Sequence, residues 1–252
     1  KTILPPIGFS QNTKRLFGYS LEKSPRFIGI PTKEALSHTW LLGGTGSGKS
    51  TAILNLILAD ARENRSAVVI DPKATLVSDI LERLPKERDK NVVILDPSQT
   101  GQAVSINSFD LVRFGVPAEL VADMLLGVFQ EIFEESWGVY TQDILSHSLH
   151  TLAKVDGSIL LDLPNLLTNK AFRHELLKSI SDPFLLDFWQ GYDTLSDSAR
   201  QTMISPVLNK FRGILLRPAL RAILGKSSGN FSLKDIFDKS RILLIPLNKG
   251  LI

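Results

Sequence analysis

The chain has 252 residues, of which 43% are hydrophobic and 22% charged, with 29 Lys and Arg against 26 Asp and Glu. This is the balance of a folded protein with ample core, and the length fits one α/β domain with a sizeable insertion as well as two domains. Cysteine is absent, which excludes a disulfide framework and any cysteine-ligated metal. The longest uncharged apolar runs, such as Thr51 to Ala59, fall well short of the ~20 residues that cross a bilayer. No basic-then-apolar secretory signal opens the chain. Because the chain starts at Lys1 rather than Met, a membrane anchor is expected to lie outside it, if there is one.

Residues 1–37 hold scattered Pro and Gly and read as a lead-in of short strands and turns. Trp40-Leu41-Leu42 reads as an apolar strand, and Thr51 to Ala61 as a helix with an apolar face. Between them Gly43, Gly48, Lys49 and Ser50 satisfy G-x-x-x-x-G-K-[ST] in full. Glycines at these places let the backbone curl so that successive N–H groups point at one phosphate, and the following helix adds its positive end. The predicted phosphate contacts are Gly43, Gly44, Thr45, Gly46, Ser47, Gly48, Lys49, Ser50 and Thr51. Lys49 would reach the β- and γ-phosphates as the candidate catalytic cation, and the Ser50 hydroxyl would hold Mg²⁺. A dinucleotide-type loop fits poorly, because the third glycine of G-x-G-x-x-G falls on Thr51 when counted from Gly46.

Ala67-Val68-Val69-Ile70 is a short continuous apolar run closed by Asp71-Pro72, the pattern of a buried parallel strand. Residues 75–84 read as a helix. Asn91-Val92-Val93-Ile94-Leu95 is a third strand, closed by Asp96-Pro97. The alternation predicts a parallel α/β sheet over 38–115. From 116 to 230 the pattern becomes helical. Leu120, Met124, Leu125, Val128, Phe129 and Ile132 form one stripe, and Ile144, Leu145, Leu149 and Leu152 another. Gly157, Pro164, Pro183, Pro206 and Pro218 punctuate this block. A strand returns at Ile242-Leu243-Leu244-Ile245, so residues 231–252 are expected to rejoin the sheet. The fold class expected is α/β, a P-loop NTPase with a parallel sheet, interrupted by an all-α inserted subdomain.

The net charge of +3 hides an asymmetry. Residues 115–197 carry thirteen acids and four bases, whereas 198–234 carry seven bases and no acid. The basic stretch makes Arg200, Lys210, Arg212, Arg217 and Arg221 candidates for DNA phosphate contact, against a solvated face or a subunit interface. Pro218 interrupts any single helix through the last three. Trp137 and Trp189 are weighed as base-stacking platforms against core packing, which their apolar neighbours favour. His147 and His150 have a chelating spacing but no obvious third ligand. Glu131, Glu134 and Glu135 read as a wet acidic face.

Hydrolysis at such a loop normally needs an apolar strand ending in an acid that holds Mg²⁺, commonly followed by glutamate. Asp71 and Asp96 end apolar strands, but neither is followed by an acid, and Asp-Glu occurs nowhere in the chain. Asp71 is a candidate accessory group in the active site if its strand lies next to the loop, and a strand-end cap otherwise.

Taken together, these segments resemble the coupling ATPases of conjugative type IV secretion, the TraG/TraD-like branch of the HerA–FtsK DNA-pumping superfamily. The likeness rests on Ile28-Gly29-Ile30-Pro31 through His38-Thr39, the loop Thr45–Ser50, and Val69-Ile70-Asp71-Pro72-Lys73. Leu95-Asp96-Pro97 and Ile106-Asn107-Ser108-Phe109-Asp110 extend it, with Ser108 where proline is usual. Ser136-Trp137-Gly138 before Asp143-Ile144-Leu145, Phe188-Trp189, Pro206–Lys210 and the closing Ile242–Gly250 complete it. In that family the Asp-Glu strand follows the Asn-Lys-Gly segment by several tens of residues, so that element is expected beyond this chain.

The resemblance implies a RecA-like P-loop NTPase interrupted by an all-α domain, an ATP- and Mg²⁺-dependent motor that forms homo-hexamers and moves DNA through a central channel without reading its sequence. It implies as partners DNA, a relaxase or other secreted cargo, and the channel proteins of the type IV secretion system. The implied location is the cytoplasm, at the inner face of the membrane through partners or an anchor outside the chain. Two rival readings are a DNA translocase or helicase of repair or segregation, and a nucleotide-gated adaptor that binds ATP without turnover.

Overall fold

A computed structural model describes residues 14–20, 23–24, 26–98, 104–134, 137–227 and 232–247. Glu135, Ser136 and Asn248-Lys249-Gly250, which figure in the sequence reading, lie outside the described residues. In chain order the elements are β1 (Lys14–Tyr19), β2 (Phe27–Pro31), α1 (Lys49–Arg62), β3 (Ala67–Asp71), α2 (Thr75–Arg83) and β4 (Val92–Ile94). There follow α3 (Asp110–Arg113), α4 (Ala118–Ile132), α5 (Val139–Lys154), α6 (Leu163–Thr168), α7 (Lys170–Leu177) and α8 (Pro183–Thr194). The last are α9 (Asp197–Leu215), α10 (Pro218–Leu224), α11 (Leu233–Asp238) and β5 (Ile242–Pro246). They form two compact units, residues 1–96 with 234–252, and residues 97–233.

The first unit is a mixed α/β body. Its sheet has the order β3-β5-β4 with every pairing parallel, and Val69 and Ile94 both register against Leu244 or its neighbours across β5. Side chains alternate across a strand, so Val69, Ile242 and Leu244 share one face. They pack there with Leu54, Ile57, Leu58 and Ala61 of α1 and Val77, Ile80 and Leu84 of and after α2. β1 and β2 make a separate antiparallel pair with a register shift between Leu16 and Gly18. Asp60, buried on α1, is gripped by Arg15 at 2.5 Å and Arg65 at 3.0 Å. Arg88 is buried and donates to Asn64 Oδ1, Arg65 O and Ser240 O at 2.7–3.3 Å, bolting the turns before β3 and β5 together.

Trp40-Leu41-Leu42 forms no strand, contrary to the sequence expectation. Trp40 and Leu42 are largely exposed. A strand needs a neighbour for its backbone groups, and among the described residues none pairs with this segment.

The second unit is helical. Its core is built on α5, where Ile144, Leu145, Leu149 and Leu152 are fully buried with Trp189 of α8 and Ile204, Val207 and Phe211 of α9. Polar side chains inside this core are satisfied locally. Ser148 Oγ donates to Ile144 O at 2.6 Å and Thr151 Oγ1 to His147 O at 2.7 Å, back-bonding that lets small hydroxyls sit in a buried helix. The unit begins at Pro97, ahead of the boundary at 116 read from the sequence. Asn107 explains why: its Nδ2 donates to Ser158 O at 2.9 Å and Ser227 O at 3.1 Å, while its Oδ1 accepts from Phe109 N–H. Phe109 itself joins the helical core. Pro164, Pro183 and Pro218 open α6, α8 and α10, where the missing N–H costs nothing. Pro206 instead lies inside the unbroken 19-residue α9 and does not punctuate it.

Candidate phosphate-binding loop

Residues 43–48 curl ahead of α1. Gly46 and Gly48 have φ of +80° and +85°, the left-handed region that a side chain strains, and Gly48 is the N-cap of α1. Ser47 N–H donates to Gly44 O at 3.3 Å, closing the turn. A Cβ built on Gly43 would sit 2.5 Å from Ser47 Oγ and 3.3 Å from Ser47 Cβ, so any larger residue there would have to turn the Ser47 side chain aside. The first bond of the helix runs from Ala52 N–H to Gly48 O at 2.9 Å, which leaves the N–H groups of Lys49, Ser50 and Thr51 ahead of the ladder. Lys49 Nζ donates to Gly43 O and Gly44 O, both at 2.6 Å, and so spans the mouth of the loop.

The donor set suits a polyphosphate. It combines free N–H groups at a helix start, a positive helix end and an ammonium held at the loop mouth. Thr45, Gly46, Ser47, Gly48, Ser50 and Thr51 are all exposed and accessible to an incoming ligand. An open groove of about 530 Å³ runs along β3, lined by Ile53, Ile57, Val68 and Ile70 with Arg15 and Asp60. None of the loop residues lines it, and its apolar walls suit a phosphate poorly.

Asp71 is occupied by its own turn. Oδ1 accepts from Lys73 N–H at 3.0 Å, and Oδ2 from Leu76 and Val77 N–H at 2.8 and 3.2 Å. The N-cap position of α2 is Ala74, which has no side-chain acceptor, so Asp71 caps the helix from the strand end. Asp71→Ala is expected to cost about 1–2 kcal/mol of stability, read as a lowered urea midpoint. An unchanged midpoint would show that the cap carries no weight.

The basic candidates divide into two groups. Arg200 is tied to Asp197 and Leu195 O and lies 5.6 Å over the Tyr192 ring, and Lys210 lies 4.4 Å over Phe133. Arg212 on α9, Arg217 at the start of α10 and Arg221 on α10 are exposed. Trp189 is fully buried, its Nε1 donating to Thr151 Oγ1 at 2.8 Å, and is a core residue. Trp137 is half-buried and bonds Gln142. His147 and His150 each turn Nδ1 toward a carbonyl one helical turn back, and His147 stacks on Phe188 at 3.7 Å. Among the described residues no cluster of His, Asp and Glu is arranged to hold a metal, and no helix is long and apolar enough to cross a membrane.

The molecule is thus an α/β protein with a small parallel sheet, a glycine-rich loop at a helix start, and a helical unit between two of its strands. A family model described as type IV secretory system conjugative DNA transfer matches residues 7–146, more than half of the sequence, and the chain belongs to that family. The match spans the loop, β3, β4 and the helices through the first half of α5. No curated protein matches the chain.

Proposed function

We propose that this chain is the ATP-binding part of a RecA-like motor that couples ATP hydrolysis to movement of DNA or nucleoprotein in conjugative transfer. The single observation that carries the reading is the curled loop with Lys49 across the Gly43 and Gly44 carbonyls, in a member of a conjugative DNA-transfer family. Gly43 to Thr51 would hold the phosphates of ATP, and Ser50 would supply its hydroxyl to Mg²⁺. The bound nucleotide supplies the free energy of hydrolysis, and the chain's part is to bind and orient it. In this reading the protein works as a homo-hexamer in the cytoplasm at the inner face of the membrane, with a relaxase or other cargo and the secretion channel as partners.

DNA contact is assigned to Arg212, Arg217 and Arg221, whose side chains are exposed. Arg200 and Lys210 support the fold around Tyr192 and Phe133. Each phosphate neutralised adds salt-dependent, sequence-independent affinity. Replacing the three exposed arginines by alanine is expected to flatten the slope of log K against log salt by about 2–3 for duplex DNA. Binding measured by anisotropy over a salt series checks this, and an unchanged slope would remove the assignment. Titration calorimetry of the chain with MgATP tests the nucleotide reading itself. Heat of binding in the wild type that vanishes in Lys49→Ala supports it, and its absence in the wild type overturns it. Binding without DNA-stimulated hydrolysis in the complete protein would favour the nucleotide-gated adaptor.

A further inference from the structure

α4 is apolar on two sides. Val121, Ala122 and Phe129 face the helical core and are at most 3% exposed. Leu120, Met124, Val128 and Ile132 recur every fourth residue on another side and are 50%, 54%, 52% and 63% exposed. Four large apolar side chains in a row of about 18 Å are more than scattered surface hydrophobics account for. The row follows an i±4 ridge, the feature that a second helix packs against. Gly127 lies on the same side, and a Cβ there would meet nothing within 4 Å. Its own unit gives no packing reason for a glycine in mid-helix, whereas a closely approaching partner does.

Charge narrows the occupant. Between Ala118 and Ile132 the helix has no Lys or Arg, and acids stand beside the row: Glu119, Asp123 and Glu131 on the helix and Glu134 just past its end, all exposed. Glu119 is paired with Lys154 at 2.5 Å, and Asp123 lies 3.5 Å from His150. Glu131 and Glu134 form no ion pair among the described residues, and they sit at the negative end of the helix, which disfavours acids. A basic group there would relieve both repulsions. An antiparallel pair of copies of α4 would instead bring one acidic border against the other.

We propose that the Leu120–Met124–Val128–Ile132 row of α4, with its acidic border, is a docking face for a basic amphipathic helix of a partner protein. The partner's apolar anchors lie along the row, and its Lys or Arg side chains meet Glu131, Glu134 and Asp123.

The probe is a helical peptide of roughly 20 residues with Leu at i, i+3, i+4 and i+7 and Lys on its flanks, titrated into the whole chain by fluorescence anisotropy. Binding is expected to weaken about tenfold or more in Met124→Asp/Val128→Asp, and in the milder Met124→Ser/Val128→Ser should the first variant fold poorly. Glu131→Lys/Glu134→Lys is expected to weaken the Lys-flanked peptide and to favour a Glu-flanked one. Equal binding of both peptides by the wild type, or no effect of either apolar pair, overturns the proposal. A dimer at micromolar concentration that Met124→Asp dissolves would assign the face to a second copy and overturns it as well. The readout is peptide binding in the absence of nucleotide, so its failure is distinguishable from failure of the Lys49→Ala test of the loop.

Discussion

Replacing Lys49 by alanine is expected to lower DNA-stimulated ATP hydrolysis by the complete protein by about 10²–10³-fold and to remove measurable MgATP binding by this chain. The side chain is the cation at the mouth of the loop, 2.6 Å from both Gly43 O and Gly44 O. When a polyphosphate enters, that ammonium is placed to exchange two carbonyl partners for phosphate oxygens of full negative charge, a stronger kind of bond. Alanine leaves the N–H groups of the helix start but no charge to balance the terminal phosphates. Arginine is not a substitute, because its planar fork does not occupy a point between two carbonyls as an ammonium does. The bonds lost are local and lie at the surface, so the melting temperature should hold. Equal hydrolysis in wild type and Lys49→Ala would sink the motor reading.

Replacing Arg173 by alanine is expected to destabilise the helical unit by about 3–5 kcal/mol, measured by urea unfolding. Arg173 is 1% exposed, and its Nη1 donates to Leu166 O at 2.7 Å and Leu167 O at 3.4 Å. Its Nη2 pairs with Asp193, and the guanidinium lies 4.9 Å over Tyr192 and 5.7 Å over Trp189. Alanine removes all of these and leaves Asp193 with His174 as its remaining partner. Burial alone pushes the Asp193 carboxyl up, but the bonds from His174 and Arg173 outweigh it and hold the group below the usual range. A carboxyl depressed on folding stabilises fully above its unfolded value of ~3.9 and loses that contribution as pH falls through the folded value. Acid should therefore lower the unfolding midpoint of the wild type below about pH 4, and Asp193→Asn should flatten that limb. Tyr192 is pushed up to about 12, chiefly by burial, and stays protonated to donate to Leu167 O at 2.8 Å.

The sheet strands were legible because parallel strands are covered on their faces and read as unbroken apolar runs, as at 67–70, 92–94 and 242–245. The curled glycine-rich loop ahead of α1 was legible because its residues are contiguous, and its geometry follows from where glycine permits a positive φ. Trp40-Leu41-Leu42 misled because a strand is defined by its neighbour, which three apolar residues do not specify. On α4 the period of the apolar residues identified a helix but merged two rows, since periodicity does not say which row meets the core. Arg173 escaped notice altogether. Its burial depends on Asp193 and the carbonyls of α6, and in sequence it resembles any charged helix residue. The sequence is compatible with two roles for Asp71, because the N–H groups of residues 73, 76 and 77 that occupy it come together only once the turn is formed.

β4 and β5 are side by side and parallel, yet residues 97–233 lie between them in sequence. Neighbouring strands that run the same way need a return path of about a dozen residues or more, most simply one helix. In chain order the helical unit therefore stands where an ordinary βαβ return would, enlarged into a body with its own interior. Any shortened version must still carry the chain from the far end of β4 back to the start of β5, with α11 kept as the last step. A tight two-residue link would force β5 to reverse direction, and Val69 and Leu244 would lose their shared face.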